Sequence, residues 1–337
     1  MGYLLSICIT SYNRVYELKR CIASIKVPDK YIKHIQIVVS EDNSPKQLEI
    51  SNLISKIKES SIIDIKFNSN KSNLGYDRNL KKLISLADGD YIVFLSDDDA
   101  LDNDTIEKLM PDLESKEYKL LYFPFRNVES NTVRRKYNKT FTIMPGEESA
   151  ITYLYDSILF SGLCFYRKAI KEISADRFLN INYFQVYLFL FVIYRFGGKY
   201  LDKPTVLCIG DGENAFGISE SSEKNMYLAD RKSVFSNLEF HKGLFKAIRY
   251  FDSDYGTNIF DGFSKEYSLR SYTGMAKARA CGIKVYYDYL KAMNRLDIKF
   301  SVVVIVYSFI LLILGQGISD IIMTIPKRLL IRIRNNV

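Results

Sequence analysis

Three consecutive aspartates, Asp97, Asp98 and Asp99, end the apolar run Tyr91-Ile92-Val93-Phe94-Leu95. Adjacent carboxylates repel one another, and a hard divalent cation with oxygen ligands, Mn²⁺ or Mg²⁺, is the simplest partner for such a run. A competing reading is an acidic turn into a helix, because Asp104 followed by Glu107 has the spacing of a capping box. The local sequence leaves both open, so other parts of the chain must decide. Thr10-Ser11-Tyr12-Asn13-Arg14 offers hydroxyl and amide donors and a guanidinium suited to a phosphate. Glu41 and Asp42 offer carboxylates able to accept the N–H of a nucleobase. Asn73, Gly75, Arg78 and Asn79 put a turn, a cation and an amide at the start of a helix, whose N-terminus favours anions.

The elements that would position these clusters alternate. Strands are expected over 3–9, 34–39, 62–67 and 91–95, separated by a helix-period stretch with Leu18, Cys21, Ile22 and Ile25 on one face and by helices over about 47–59 and 76–87. Such alternation predicts a parallel, doubly wound α/β sheet with right-handed crossovers. Ligands bind such sheets outside the carboxyl ends of the strands. All four strands empty into polar clusters at that end, and the aspartates are one of them. A base acceptor, phosphate donors and a metal on one edge describe a site for a nucleoside diphosphate.

Composition narrows the class further. With 337 residues and 47% hydrophobic content, the chain is long enough for one large or two modest globular domains. The five cysteines form no CxxC pair and read as reduced buried thiols, while two histidines leave little room for a zinc site or Ser-His-Asp catalysis. The N-terminal apolar run lacks a basic flank and is too short for a signal peptide core, so it reads as the first strand. Half of the net charge of +8 falls in the last 39 residues, where Lys299, Lys327, Arg328, Arg332 and Arg334 face only Asp320. That excess lies beside an apolar segment and not along an aromatic-bearing sheet, which disfavours nucleic acid as a partner.

Thr-Ser-Tyr-Asn-Arg, then Glu-Asp-Asn-Ser, then Asn-x-Gly with Arg-Asn after it, then Gly-Asp-Tyr-Ile-x-Phe-Leu-x-Asp-Asp-Asp, in this order resemble the N-terminal half of family 2 glycosyltransferases. The nearest likeness is to bacterial O-antigen sugar transferases of the abequosyltransferase kind, over about the first 105 residues. The resemblance implies a GT-A fold, a Rossmann-like, mostly parallel central sheet with helices on both faces. It implies that Thr10, Tyr12, Arg14, Asp42 and Arg78 line a nucleotide pocket, with Asn13, Glu41, Asn73, Gly75 and Asn79 beside them. It also implies that Asp97, Asp98 and Asp99 supply the metal-binding acidic motif. The family often reads Leu-Asp-x-Asp-Asp where this chain has Leu95-Ser96-Asp97-Asp98-Asp99, so the two aspartates that touch the ion are not fixed.

The next expected elements are a helix over 104–113, a strand over 119–125, a basic hairpin or loop over 126–139, a helix over 146–155 and a strand over 160–166. The last would bring Ser161 and Gly162 to the acceptor side. The aromatic-rich stretch 182–196 reads as a mainly buried helix. Inverting members usually carry a Glu-Asp pair at its start, one acid being the base, whereas this chain has Tyr183-Phe184-Gln185, and a glutamine takes no proton at neutral pH. Asp156, Asp176, Asp211 and Glu213 remain as candidate bases, Asp176 being nearest in sequence. A retaining reaction assisted by the leaving diphosphate stays open.

The resemblance thus implies that residues 1–105 are the nucleotide-sugar half of a catalytic domain and 106–215 its acceptor half, with 216–298 expected as a helical region and 299–337 as a membrane-associating tail. Residues 300–314 are fifteen without a charge, against about 20 for a spanning helix. A span would also carry the basic tail to the far side, contrary to the positive-inside bias. A helix or helical hairpin in the cytoplasmic interface of a bacterial inner membrane fits better. The function expected is metal-dependent transfer of a hexose or deoxyhexose from a nucleoside diphosphate sugar to a lipid-linked (polyprenyl diphosphate) saccharide. The alternatives are a nucleotidyltransferase, disfavoured because residues 10–14 contain no glycine, and a membrane-bound scaffold without turnover.

Overall fold

The computed structural model describes residues 2–135, 137–178, 181–212, 233–296 and 302–334, with backbone alone for 237, 239 and 324–334. The first half follows the expected alternation: β1 (Leu5–Ser11), α1 (Val15–Ser24), β2 (Ile35–Glu41), α2 (Gln47–Ser60), β3 (Asp64–Ser69), α3 (Tyr76–Leu86) and β4 (Tyr91–Ser96). β3, β2, β1 and β4 lie side by side in that order, all parallel. β1 and β2 are buried almost throughout, as strands covered on both faces must be. Because the chain runs outward from β1 to β3 and then returns to place β4 on the other side of β1, the order reverses between β1 and β4. A crevice opens at such a reversal, at the carboxyl ends of the two strands.

The aspartate run does not pass directly into a helix. Asp99 begins β5 (Asp99–Leu101), and α4 (Thr105–Ser115) starts only after it. Asp104 is the N-cap residue of α4, yet its carboxylate caps nothing and pairs with Lys108, so the capping-box reading is not what the structure shows. The single strand expected over 119–125 is also corrected. It is two strands, β6 (Leu120–Tyr122) and β7 (Phe125–Asn127), interrupted where Pro124 has no N–H to donate to a ladder.

The chain continues through β8 (Val133–Arg134), β9 (Phe141–Ile143), α5 (Glu147–Tyr153), β10 (Leu163–Tyr166), α6 (Arg167–Ile170), α7 (Phe184–Phe196), β11 (Gly198–Tyr200) and β12 (Val206–Cys208). The main sheet has eight strands in the order β3-β2-β1-β4-β10-β6-β11-β9, with β10 and β9 antiparallel to their neighbours. A smaller sheet of four runs β5-β12-β7-β8. Three main-sheet strands, β4, β6 and β11, therefore each lead within a few residues into a small-sheet strand, β5, β7 and β12. The small sheet is the bent-over margin of the large one, and Asp97 and Asp98 lie on the crease.

Helix α7 buries residues all round, including Phe184, Gln185, Leu188 and Phe189, so it is an interior element and its aromatics are core. It ends at Gly197, whose φ of +67° only glycine adopts freely; a Cβ there would also stand 2.1 Å from Ile143 O. One apolar core extends from β4 and β6 through α7 into α8 (Ser236–Tyr255), α9 (Ile259–Arg270), α10 (Tyr272–Ala280) and α11 (Ile283–Asn294). The opposite face of the sheet packs against α1, α2 and α4. The start of the expected helical region, residues 216–232, lies outside the described residues. The last element, α12 (Val302–Arg334), is interrupted at Gly315, where φ is +67° and ψ 179°.

Candidate active site at the crease between two sheets

Parallel pairing with β4 leaves the polar residues after β1 beside the aspartates, Thr10 lying opposite Ser96. Asn13 takes a φ of +60°, and the turn it makes swings Arg14 back over the end of β4. Arg14 Nη1 stands 2.7 Å from Asp97 Oδ1 and 3.1 Å from Asp98 Oδ2. Tyr12 N–H donates to the other oxygen of Asp97 at 3.2 Å. The two strand ends flanking the crevice are thus joined by a guanidinium held between two carboxylates.

Asp99 turns the other way and accepts from the Ser161 hydroxyl at 2.6 Å; that hydroxyl in turn accepts the N–H of Ser96 at 3.0 Å. Burial pushes both Asp97 and Asp99 up to about 7; Arg14 draws Asp97 back and Asp98 raises it, while Asp98 also raises Asp99. For Arg14, burial opposes the charge, but Asp97 and Asp98 outweigh it and hold the guanidinium above its ordinary value. One cation among three carboxylates leaves negative charge uncompensated, which is the electrostatic condition for binding a further cation. Among the described residues, no three His, Cys, Asp or Glu side chains converge on one point. The donor set therefore fits an ion held partly by this chain and completed by phosphate oxygens.

The second and third clusters are largely turned inward. Glu41 accepts the N–H groups of Asn43 and Ser44 at 2.9 and 2.8 Å. Asp42 accepts those of Leu74 and Gly75 at 2.8 and 3.0 Å and the Asn70 amide at 2.9 Å, fixing the turn before α3. Burial nonetheless pushes Asp42 up to about 6 against those bonds. Asn73 accepts from Gly75 N–H at 2.9 Å, closing the same turn. Asn79 is buried, accepting the Ser40 hydroxyl at 2.7 Å and donating to Ser40 O at 3.2 Å, so it holds α3 to β2. Arg78 is partly buried, and its Nε has no partner among the described residues. An open groove of about 740 Å³ between α1 and α2 meets this edge at Asn13 and Arg14.

Among the residues expected on the acceptor side, Gly162 adopts φ +81° and donates its N–H to Phe94 O at 2.9 Å. Gln185 is buried in the first turn of α7, and its amide donates to Ile158 O at 3.1 Å. Asp176 is exposed on a short turn, where its carboxylate accepts the Ser174 hydroxyl at 2.8 Å. Asp211 makes a two-pronged pair with Arg20, at 2.6 and 2.7 Å, and that bond holds its carboxyl below the ordinary value, the wrong direction for a base. Asp156 is raised by burial and accepts the Tyr137 hydroxyl at 2.7 Å, the direction a base needs. Glu213 lies outside the described residues.

Several site residues carried no signal that the sequence reading used. Arg135, buried and lowered to about 10 by desolvation, donates to the carbonyls of Asp156, Leu159 and Ser161 and so shapes the loop that presents Ser161. Arg20 also reaches Asp98 O at 3.3 Å. Beyond β12 the chain crosses the carboxylates, and a Cβ on Gly212 would lie 2.7 Å from Arg14 Nε and 2.9 Å from Asp98 Cβ. Gly-Asp-Gly at 210–212 is a turn signal that could have marked this strap. Gly212→Ala is expected to raise the KM for the donor about fivefold or more, with little change in melting temperature, because the strap must lift off Arg14. Donor titration beside a thermal melt checks this.

The sheet order with its reversal at β1 and β4, and the acidic edge there, define an α/β glycosyltransferase fold of the GT-A type. Residues 6–174, half of the chain, match the family model described as glycosyl transferase family 2, and the chain belongs to that family. The abequosyltransferase RfbV of Salmonella typhimurium is 28% identical over 230 residues, covering 63% of this chain and 68% of that protein. Among solved structures, S. aureus TarS 1-349 superposes with a TM-score of 0.48 at 12% identity, over 86% of this chain and 91% of that one. The mannosyltransferase PcManGT from Pyrobaculum calidifontis, solved with GDP-Man and Mn²⁺, gives 0.48 at 10% identity, over 92% and 87%.

Proposed function

We propose that this glycosyltransferase moves a hexose or deoxyhexose from a nucleoside diphosphate sugar to a lipid-linked (polyprenyl diphosphate) saccharide. The reaction would take place at the cytoplasmic face of a bacterial inner membrane, in the synthesis of O-antigen or another surface polysaccharide. The observation that carries the reading is Arg14 held between Asp97 and Asp98 at the crevice of the sheet. The likeness to an abequosyltransferase supports the choice of sugar class and acceptor.

Two of the three aspartates, Asp98 with Asp97 or Asp99, would hold part of the shell of a divalent ion, Mn²⁺ or Mg²⁺, which when bound neutralises charge on the leaving diphosphate. Asp98, the least buried of the three, has the most accessible carboxylate. Arg14 and Arg78 supply fixed positive charge for the same diphosphate, and Tyr12, Asn13 and the turn pinned by Asp42 shape the nucleotide end. Ser161 fixes Asp99, and so ties the loop of the acceptor side to the metal side. Asp156 is the acid whose environment suits proton uptake, and it replaces Asp176 as the preferred candidate base.

The test is thermal stabilisation by a panel of nucleoside diphosphates with and without Mn²⁺. The raised values of Asp97 and Asp99 also fix a sign. A carboxyl raised in the folded state binds more protons folded than unfolded between its ordinary value and about 7. The contribution of these two groups to the stability of the metal-free protein therefore falls as pH rises from about 4 to 7. Arg14 and Asp98 face these groups and are included in that balance. Mn²⁺ should flatten or reverse the slope, since it favours the ionised carboxylates. A melting temperature that ignores Mn²⁺ and nucleotide at every pH would remove the basis for the reading.

A further inference from the structure

The C-terminal element has its polarity reversed. On a helix facing water, polar residues point outward and apolar ones toward the body. In α12 the outward residues are Ile305, Phe309, Ile313, Ile318 and Ile321, which are 55–65% exposed. The polar residues point inward: Ser319 is fully buried, and Asp320 accepts from Tyr272 at 2.8 Å and from Gln316 at 2.9 Å. Residues 302–323 have a mean hydropathy of 2.3, and only a small share of them is buried in the protein.

The element is also folded back on itself. Nine residues of straight helix would separate Ile310 from Ser319 by about 13 Å. The Ser319 hydroxyl, which donates to Gly315 O at 2.5 Å, instead lies only 3.3 Å from Ile310 O, across the break at Gly315. Tyr272 of α10 touches both sides of the break, packing on the Tyr307 ring at 5.3 Å and donating to Asp320. Arg279, also of α10, donates to Leu311 O at 3.1 Å, in the last turn before the break. The first arm, 302–314, is about 20 Å long, and a bilayer core is about 30 Å thick.

We propose that the two arms form a monotopic hairpin that sinks its outer apolar ridge into one leaflet of an anionic bilayer and never crosses it. The chain then enters and leaves on the same side, and Lys327, Arg328, Arg332 and Arg334 fall in the last part of the second arm, which would lie at the depth of the headgroups. An apolar ridge plus a basic cluster are the two signals that make a stable anchor. The bonds to α10 tie the hairpin to the folded body, so the anchor is no loose tether. This deepens the membrane part of the function proposed above and rests on it only for the side of the membrane.

The experiment uses the full chain and vesicles of equal parts phosphatidylcholine and phosphatidylglycerol, with phosphatidylcholine alone as the comparison. Binding to the mixed vesicles is expected, weaker without the anionic lipid, and reduced about tenfold or more by Phe309→Asp or Ile313→Asp. Both variants are expected to keep the wild-type thermal shift with nucleoside diphosphate, which shows that they fold. In cells, a membrane-impermeant maleimide applied from outside should fail to label Asn336→Cys. Labelling there means a spanning helix and overturns the proposal. So does unchanged vesicle binding by both variants, or a ridge that proves to be a dimer contact, lost in the same variants in a protein with no vesicle affinity. Wild-type protein that binds vesicles but shows no nucleotide shift would sink the donor reading and leave the hairpin standing.

Discussion

Asp98→Asn is expected to lower kcat/KM by about 10²–10³-fold with little loss of stability. The carboxylate sits 3.1 Å from Arg14 Nη1 and its side chain is 18% exposed, so it is the member of the run that a ligand can reach. Asparagine keeps the shape and removes the charge, which isolates the electrostatic contribution. Changing Asp97 would be less informative, because that carboxylate also holds Tyr12 N–H and the shorter contact to Arg14. Steady-state kinetics over a range of Mn²⁺ concentrations checks the claim. Activity within about threefold of wild type, insensitive to a chelator, would show that the acidic edge is not where the diphosphate leaves.

Asp77→Ala is expected to destabilise the fold by about 3–4 kcal/mol, among the largest effects of any single polar truncation in the chain. Asp77 is buried on α3 and accepts the N–H groups of Ile181 at 3.3 Å, Asn182 at 2.7 Å and Phe184 at 2.8 Å. Those donors belong to the first turn of α7 and the residues before it, where a helix has no internal acceptors and carries partial positive charge. Alanine leaves three buried donors unmet at the end of the most buried helix in the molecule. Asp77→Asn, which keeps an acceptor, should cost roughly half as much. Urea unfolding of the two variants measures both, and equal midpoints for Ala and wild type would refute the capping role.

These two residues show what the sequence made legible and what it hid. The aspartate run stood out because like charges at a strand end need an explanation, and the strand–helix alternation located it on the correct edge. Asp77 lies between Gly75 and Arg78, inside a motif, yet its partners are about a hundred residues away, and no local pattern announces a cap supplied across that distance. Arg135 was hidden for a related reason, since its partners are backbone carbonyls and a carbonyl leaves no trace in a sequence. Asn79 misled in the opposite direction. A polar residue beside a binding motif looks like part of it, and only the bond to Ser40 reveals that it holds two elements together. The interruption at Pro124 could have been read from the missing N–H, but the apolar residues on both sides of it suggested one continuous strand.

The crease between the two sheets has a kinetic consequence. Three short stretches, 97–98, 123–124 and 201–205, lead from the large sheet into the small one, and Asp97 and Asp98 occupy the first. A donor seated there, as proposed above, would lean on both panels at once, and its arrival would set the angle between them. The loop carrying Ser161 is fastened to Asp99 on the small-sheet side and would follow that angle. The acceptor's surface would then be finished only after the donor is in place. Product-inhibition kinetics are accordingly expected to show the two substrates taken in a fixed order, donor first, like a folder that must be closed along its spine before anything can be clipped inside.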